Sequence, residues 1–218
     1  MVEKSKHYFI TFEGIDGSGK DTQIYKLAEL IKNDDKEFYG DKYSNIWITR
    51  EPTNITQAGK EISRLLRTNK LSKEDASRLF IEDRLQHTEM INDFLKHSDV
   101  ICSRYDLSTL TYQYTQGMDF DELYKMHRPG QKNGIIIPDV TLLFDLTAEE
   151  AAKRTAERDS EKEFFEELEF QKKVRNNTYW CIDKLREYDG RNIVIINAEQ
   201  SIEKVTQEMY EKLKDILK

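Results

Sequence analysis

Cysteine, proline and glycine are all scarce in this chain of 218 residues, which has two, three and nine of them. Cys102 and Cys181 sit in apolar or aromatic surroundings without CxxC or metal-like spacing, so buried, reduced thiols are expected. Pro52, Pro129 and Pro138 all fall in predicted connections, where each fixes a local turn. No apolar run approaches the roughly 18 residues of a membrane span. The opening MVEKSKHYFITF lacks the apolar core and small-residue cleavage site of a secretory signal, which makes the cytoplasm the expected compartment. Positive charge is also short. Against 41 Asp and Glu there are 34 Lys and Arg, a net charge of −7 that argues against a general nucleic-acid binder but allows a local basic pocket for a small anion. Repeats, low-complexity tracts and linkers are missing as well. At about 150 residues per domain the length allows one domain or at most two, and one domain over 1–218 is the reading.

What is present concentrates in Ile10 to Gln23, ITFEGIDGSGKDTQ. A short apolar segment feeds a glycine-rich turn that ends in Gly19-Lys20 and opens a helix whose apolar face carries Ile24, Leu27, Leu30 and Ile31. Gly14, Ile15, Asp16, Gly17, Ser18, Gly19 and Lys20 satisfy GxxxxGK, the P-loop core. There, backbone N–H groups and a helix N-terminus surround phosphate oxygens while the lysine reaches the outer phosphates. The pattern next calls for Ser or Thr to place a hydroxyl on Mg²⁺. This chain has Asp21 instead, and Thr22 is one residue further round the helix.

Short β-branched runs alternate with longer helical patterns, the signature of parallel βαβ units. Strands are predicted at Tyr8 to Phe12, Ile46 to Thr49, Val100 to Cys102, Val140 to Leu146 and Ile193 to Ile196. Thr56 to His97 reads as two or three helices, and Ile202 to Leu217 as a closing helix used for packing. The expected fold is α/β: a P-loop NTPase three-layer arrangement, with a five-stranded parallel sheet, helices on both faces and a short lid.

Ligands of such sheets bind outside the carboxyl ends of the strands. Those ends carry Asp16, Arg50-Glu51-Pro52, Ser103-Arg104-Tyr105 and Asp145. Two arginines at strand ends beside a P-loop suggest a second phosphate site, because a guanidinium matches phosphate bidentately. Phe80 and Arg84 are four apart on a predicted helix and share a face. Taken alone they form either a platform for a flat polar base or a core ring beside an arginine paired with Asp83 or Glu82. Arg154, Arg158 and Lys162 recur at four-residue intervals and share a face if helical, repelling one another unless an anion lies between them or Glu150 compensates. None of His7, His87, His97 and His127 has metal-ligand spacing, and none is assigned chemistry.

These blocks resemble the thymidylate kinases, P-loop enzymes that phosphorylate dTMP with ATP. The likeness runs through FEGIDGSGK, TREP (Thr49 to Pro52), LFIEDR (Leu79 to Arg84), RYDLSTLTYQ (Arg104 to Gln113), PDVTLLFDL (Pro138 to Leu146) and FFEELEFQKKVR behind the arginine-bearing segment. The resemblance implies that Asp16 meets the deoxyribose 3′-OH, Arg50 and Arg104 the acceptor phosphate, and that Phe80 stacks on the base. Arg84 would bond a base carbonyl, Thr109 and Gln113 would lie near the pyrimidine edge with Ser108 in the same block, and Tyr112 would crowd the sugar 2′ position. It also implies a lid over about 150–165. Some members carry an arginine inside the P-loop where this chain has Gly17, so the lid would supply the transition-state cation, Arg158 first and Arg154 second. ATP, Mg²⁺ and a homodimer are further implications.

Three positions depart from the family pattern. Asp21 replaces the P-loop hydroxyl, and Ser103 replaces the aspartate that usually precedes the arginine after strand three, so one hydroxyl and one carboxylate have changed places. Both positions ordinarily face Mg²⁺, which makes Asp21 and Ser103 the candidate metal ligands. Thr53-Asn54 stands where the family usually has two glycines. The alternatives are a kinase for another nucleoside monophosphate and a weakly active nucleotide-binding relative. A GTPase is disfavoured, because the nearest string to its NKxD motif, Asn69-Lys70-Leu71-Ser72, lacks the aspartate.

Overall fold

The computed structural model describes residues 7–32, 45–68, 72–156 and 168–216. Five strands form one parallel sheet: β1 Phe9–Glu13, β2 Ile46–Arg50, β3 Asp99–Ser103, β4 Val140–Asp145 and β5 Ile193–Asn197, in the order β2-β3-β1-β4-β5. The observed ends reach one residue past several predicted ones, into polar Asp99, Ser103, Arg50 and Asn197. These residues still take ladder positions, opposite Ile46, Phe12 and Arg50, Ser103, and Asp145 respectively.

Eight helices surround the sheet among the described residues: α1 Lys20–Lys32, α2 Gln57–Thr68, α3 Lys73–Phe94, α4 Asp106–Thr115, α5 Phe120–His127, α6 Ala148–Ala156, α7 Leu168–Asp189 and α8 Ile202–Lys214. The 56–97 region therefore resolves into two helices. Successive strand side chains point to opposite faces, and the core divides accordingly. Ile10, Phe12, Ile101, Leu142 and Phe144 pack with Ile24 and Leu27 of α1 and Val205 and Met209 of α8. Phe9, Val100 and Cys102 pack with Ile91 of α3 on the other face, while Leu143 and Ile193 meet Leu107, Leu110 and Leu185 of α4 and α7. Both cysteines are buried free thiols, Cys102 on β3 and Cys181 on α7.

The strand order places β1 between β3 and β4, so the turn leaving β1 lies beside the turn leaving β3. The backbone N–H of Arg104 donates to the Phe12 carbonyl at 2.8 Å, and that of Tyr105 to Glu13 Oε1 at 2.8 Å. Glu13 is buried beneath both turns, where burial raises its pKa against the pull of Ser108 and Arg104. The sheet thus fixes the two turns to one another before any ligand arrives.

Candidate active site

The β1–α1 turn has the conformation its glycines permit. A Cβ on Gly14 would lie 2.7 Å from the Phe144 carbonyl, and Gly19 has φ +82 with nothing near its absent side chain, so the backbone there faces open space. Lys20 begins α1 and is buried; burial, and Arg104 after it, lower its pKa against the pull of Asp16. Its Nζ lies 3.5 Å from Asp16 Oδ1. An Arg104 NH2 donates to that same oxygen.

Arg104 holds its position with a left-handed backbone at φ 63, unusual for a residue with a side chain. Its NH1 donates to Ser108 Oγ at 3.1 Å, and its guanidinium lies 5.7 Å from the centre of the Tyr112 ring. Arg104 holds the Asp16 carboxyl well below the usual carboxylate range, and Lys20 adds to the effect. Burial works against the Arg104 cation, but Asp16 beside it outweighs that and raises its pKa.

A cleft opens from Asp16 and Arg104. It is also lined by Phe80 and Arg84 of α3, and by Ser108, Thr109, Tyr112 and Gln113 of α4. Seven of the residues expected around the acceptor nucleotide, together with Asp16, are therefore brought to one wall set. Gln113 is 1 % exposed, and its Oε1 is an acceptor without a partner among the described residues. Arg50 differs. It is exposed at the end of β2 and stands outside the residues that line the cleft.

Arg84 pairs with neither Asp83 nor Glu82. Its Nε donates to Glu51 Oε2 at 2.7 Å, one NH2 hydrogen goes to the Tyr105 carbonyl at 2.9 Å and the other to Thr109 Oγ1 at 2.9 Å. Its NH1 lies 2.8 Å from His127 Nε2. Asp83 instead accepts from the Thr53 N–H at 2.7 Å and the Thr53 hydroxyl at 2.6 Å, and also from the Thr56 hydroxyl. The loop after Pro52 is thereby pinned by the side chain that replaces a glycine, following the cis Glu51–Pro52 bond.

Sequence reasoning placed Glu51 at a strand end without a role and assigned no chemistry to the two buried histidines. Glu51 Oε1 lies 2.9 Å from His87 Nδ1, and His87 Nε2 lies 2.8 Å from Thr49 Oγ1. Glu51, His87 and Cys102 come close enough to share a metal, but the carboxylate and both ring nitrogens are already committed to protein partners, so the cluster is a braced network. No spacing along the chain signals it. Arg175 of α7 was also missed; it grips Asp145 with two bonds of 2.8 and 2.7 Å.

Asp21 and Ser103 do meet: the Ser103 hydroxyl donates to Asp21 Oδ1 at 2.5 Å. A carboxylate and a hydroxyl side by side at the mouth of the turn, next to Lys20, are two hard oxygen donors and fit Mg²⁺. Arg154 of α6 donates to Glu150 Oε1 at 3.0 Å and to the Ala198 carbonyl at 3.1 Å. Residues 150–156 of the expected lid belong to α6, while Arg158, Lys162 and the rest of 157–165 lie outside the described residues.

Residues 12–209 match the thymidylate kinase family model. The chain belongs to the thymidylate kinase family. Among its relatives, a probable thymidylate kinase of Methanococcus aeolicus is 38% identical over 209 residues, covering 95% of this chain and 96% of that one. One from Methanococcus maripaludis is 39% identical over 175 residues, covering 80% and 77%. A third, from Pyrococcus abyssi, is 32% identical over 210 residues, covering 93% of each. As a thymidylate kinase the chain is a transferase, a nucleoside monophosphate kinase for which ATP is the phosphate donor and Mg²⁺ the metal. No helix among the described residues is long and apolar enough to cross a membrane.

Proposed function

We propose that the chain converts dTMP to dTDP by direct in-line transfer from ATP, with the acceptor nucleotide in the Asp16–Gln113 cleft and the triphosphate on the β1–α1 turn. The observation that carries this reading is the shared carboxylate: Asp16 touches both Lys20 of the turn and Arg104 of the cleft, so donor and acceptor sites abut at one side chain. In this arrangement Gly14 to Thr22 hold the ATP phosphates, and Lys20 reaches the transferring group. Arg104 binds the acceptor phosphate, Asp16 the 3′-OH, and Arg50 joins them from the adjacent strand end. Phe80 stacks on the base, Arg84 donates to a base carbonyl, and Thr109 and Gln113 face the pyrimidine edge. Tyr112 excludes a 2′-hydroxyl, and Ser108 holds Arg104 in place.

Phosphoryl transfer asks the protein for position and charge neutralisation, and an acceptor phosphate is already an anionic nucleophile needing no general base. Lys20, Arg104 and a lid arginine, Arg158 or Arg154, supply fixed positive charge against the transferring group. Lid closure keeps water away from ATP. Mg²⁺, when bound, neutralises phosphate charge, and Asp21 with Ser103 is the pair that would hold it. Asp21 beside bare triphosphate would be repelled, which favours a metal-facing role. Restoring the usual order with Asp21→Thr plus Ser103→Asp should preserve more activity than either change alone. If Asp21→Ala leaves both turnover and Mg²⁺ dependence unchanged, the exchange reading fails.

A coupled assay of ADP release over a panel of nucleoside monophosphates, with and without Mg²⁺, tests the function. The highest kcat/KM is expected for dTMP, with turnover lost when the metal is removed. ATP and nucleotide binding with no turnover above background would instead identify a nucleotide-binding relative without kinase activity. The enzyme is further expected to act in the cytoplasm as a homodimer. Light scattering of the eluting protein should give twice the chain mass, and a single chain mass at assay concentrations would refute that assembly.

A further inference from the structure

The segment between α4 and β4 carries no part of the expected site, yet α5 ends in a side chain that touches it. His127 is 1 % exposed and sits at the C-terminus of α5, with its Nδ1 2.7 Å from the Leu123 carbonyl. A carbonyl can only accept, so Nδ1 carries the ring proton and Nε2 is left as an acceptor. Arg84 has only donors, and its NH1 fills that acceptor. Of the five N–H bonds of the guanidinium, Glu51, Tyr105, Thr109 and His127 take one each. One NH1 hydrogen has no partner among the described residues, on a side chain that lines the cleft. A planar guanidinium held on four bonds cannot rotate, so the direction of the fifth is set by the other four.

We propose that His127 is a positioning residue for substrate selection: as a neutral acceptor it clamps Arg84 so that the remaining NH1 hydrogen is presented to a carbonyl oxygen of the acceptor's base. This rests on the reading of the cleft as the nucleobase site. It follows that the site accepts a base with a keto oxygen at that point and rejects one with an amino group, because Arg84 has no acceptor to offer. The ring is held in the acceptor state by its surroundings, since burial, with Arg84 second, lowers its pKa from 6.5 to about 3.

Two substitutions separate the two nitrogens. His127→Asn places its amide near the former Nδ1, keeping a donor for Leu123 but reaching no further; His127→Gln extends an oxygen toward the former Nε2, keeping an acceptor for Arg84. Initial rates at varied dTMP and varied ATP are measured for both, and for His127→Leu, which has neither bond. The expected result is a KM for dTMP raised about tenfold in the Asn and Leu proteins, within threefold of the native value in the Gln protein, and KM for ATP unchanged in all three. Equal damage by Asn and Gln, or a parallel loss in both KM values and kcat, would show His127 to be structural and overturn the proposal. Should the Asn or the Leu protein not fold, the remaining pair still gives the contrast, Gln against Leu or Asn against Gln; should the Gln protein not fold, a raised KM for dTMP with KM for ATP unchanged in the other two supports the clamp, and a parallel loss overturns it. If Asn and Leu both fail to fold, dTMP against dCMP selectivity in the Gln protein decides, a loss of the preference overturning the clamp. A native enzyme inactive on dTMP would refute the assignment of the cleft and not the clamp, which is then measured with whichever keto nucleotide the panel identifies.

Discussion

Arg84 is a full positive charge enclosed in protein, 1 % exposed, with its Glu51 counter-ion 2 % exposed at the side chain. Such a pair is no guarantee of stability, but breaking it is severe, because the remaining charge stays buried without a partner. Arg84→Met should therefore cost about 3–5 kcal/mol in urea denaturation. Arg64→Ala, which removes an exposed pair with Glu61, should leave the melting curve in place. His127 adds a pH dependence. Its folded pKa of about 3 lies below the unfolded value of 6.5, so the unfolded chain takes up the proton first. The contribution of the neutral ring is complete above pH 6.5 and declines as pH falls from 6.5 towards 3. In the His127→Gln protein the fall in unfolding free energy between pH 6.5 and pH 4 should be shallower than in the native chain.

Elements were more legible than contacts. β1, β3 and β4 announced themselves as apolar runs because they are covered on both faces, the partly exposed edge strands β2 and β5 by their β-branched residues, and α1 followed from its glycine turn. α4, α5 and α7 were not read as helices, although in α5 the signals are ordinary: Asp119 accepts from the Glu122 N–H, acids occupy the first turn, and Lys125 and His127 the last. Its surroundings are polar enough to hide an eight-residue helix. The P-loop, Phe80, Arg104 and the α4 residues were legible through motif order. The support beneath them was not, since Glu51 and His127 lie 33 and 43 positions from Arg84 and helical spacing reveals only neighbours three or four apart. Asp21 and Ser103 were legible only as departures from a pattern; their contact across 82 positions comes from the pairing of β1 with β3. At this scale the clearest test is a cap. Ser72 accepts from the Asp75 N–H at 3.1 Å to start α3, so Ser72→Ala should lower stability by about 1 kcal/mol in urea melts. Ser72 is exposed and is not among the residues that line the cleft, which predicts unchanged kcat and KM.

Across the whole molecule, the parallel sheet brings the carboxyl ends of all five strands to one edge, and three of the carboxylates gathered there are matched in advance. Asp16 answers Lys20 and Arg104, Glu51 answers Arg84, and Asp145 answers Arg175. An incoming phosphate therefore has to exchange partners with a carboxylate, and the groups that change partners are those nearest the turn.

The left-handed backbone of Arg104 carries a consequence for how this chain can evolve. Glycine adopts that conformation freely and alanine does not, although either truncation loses the same guanidinium, so Arg104→Gly should unfold at higher denaturant than Arg104→Ala, by about 1 kcal/mol. Both should be nearly inactive. A library at this position sorted for folding alone would drift toward glycine, while one sorted for growth on its product would retain arginine. The two rankings would part at the one codon where catalysis and conformational ease ask for opposite residues.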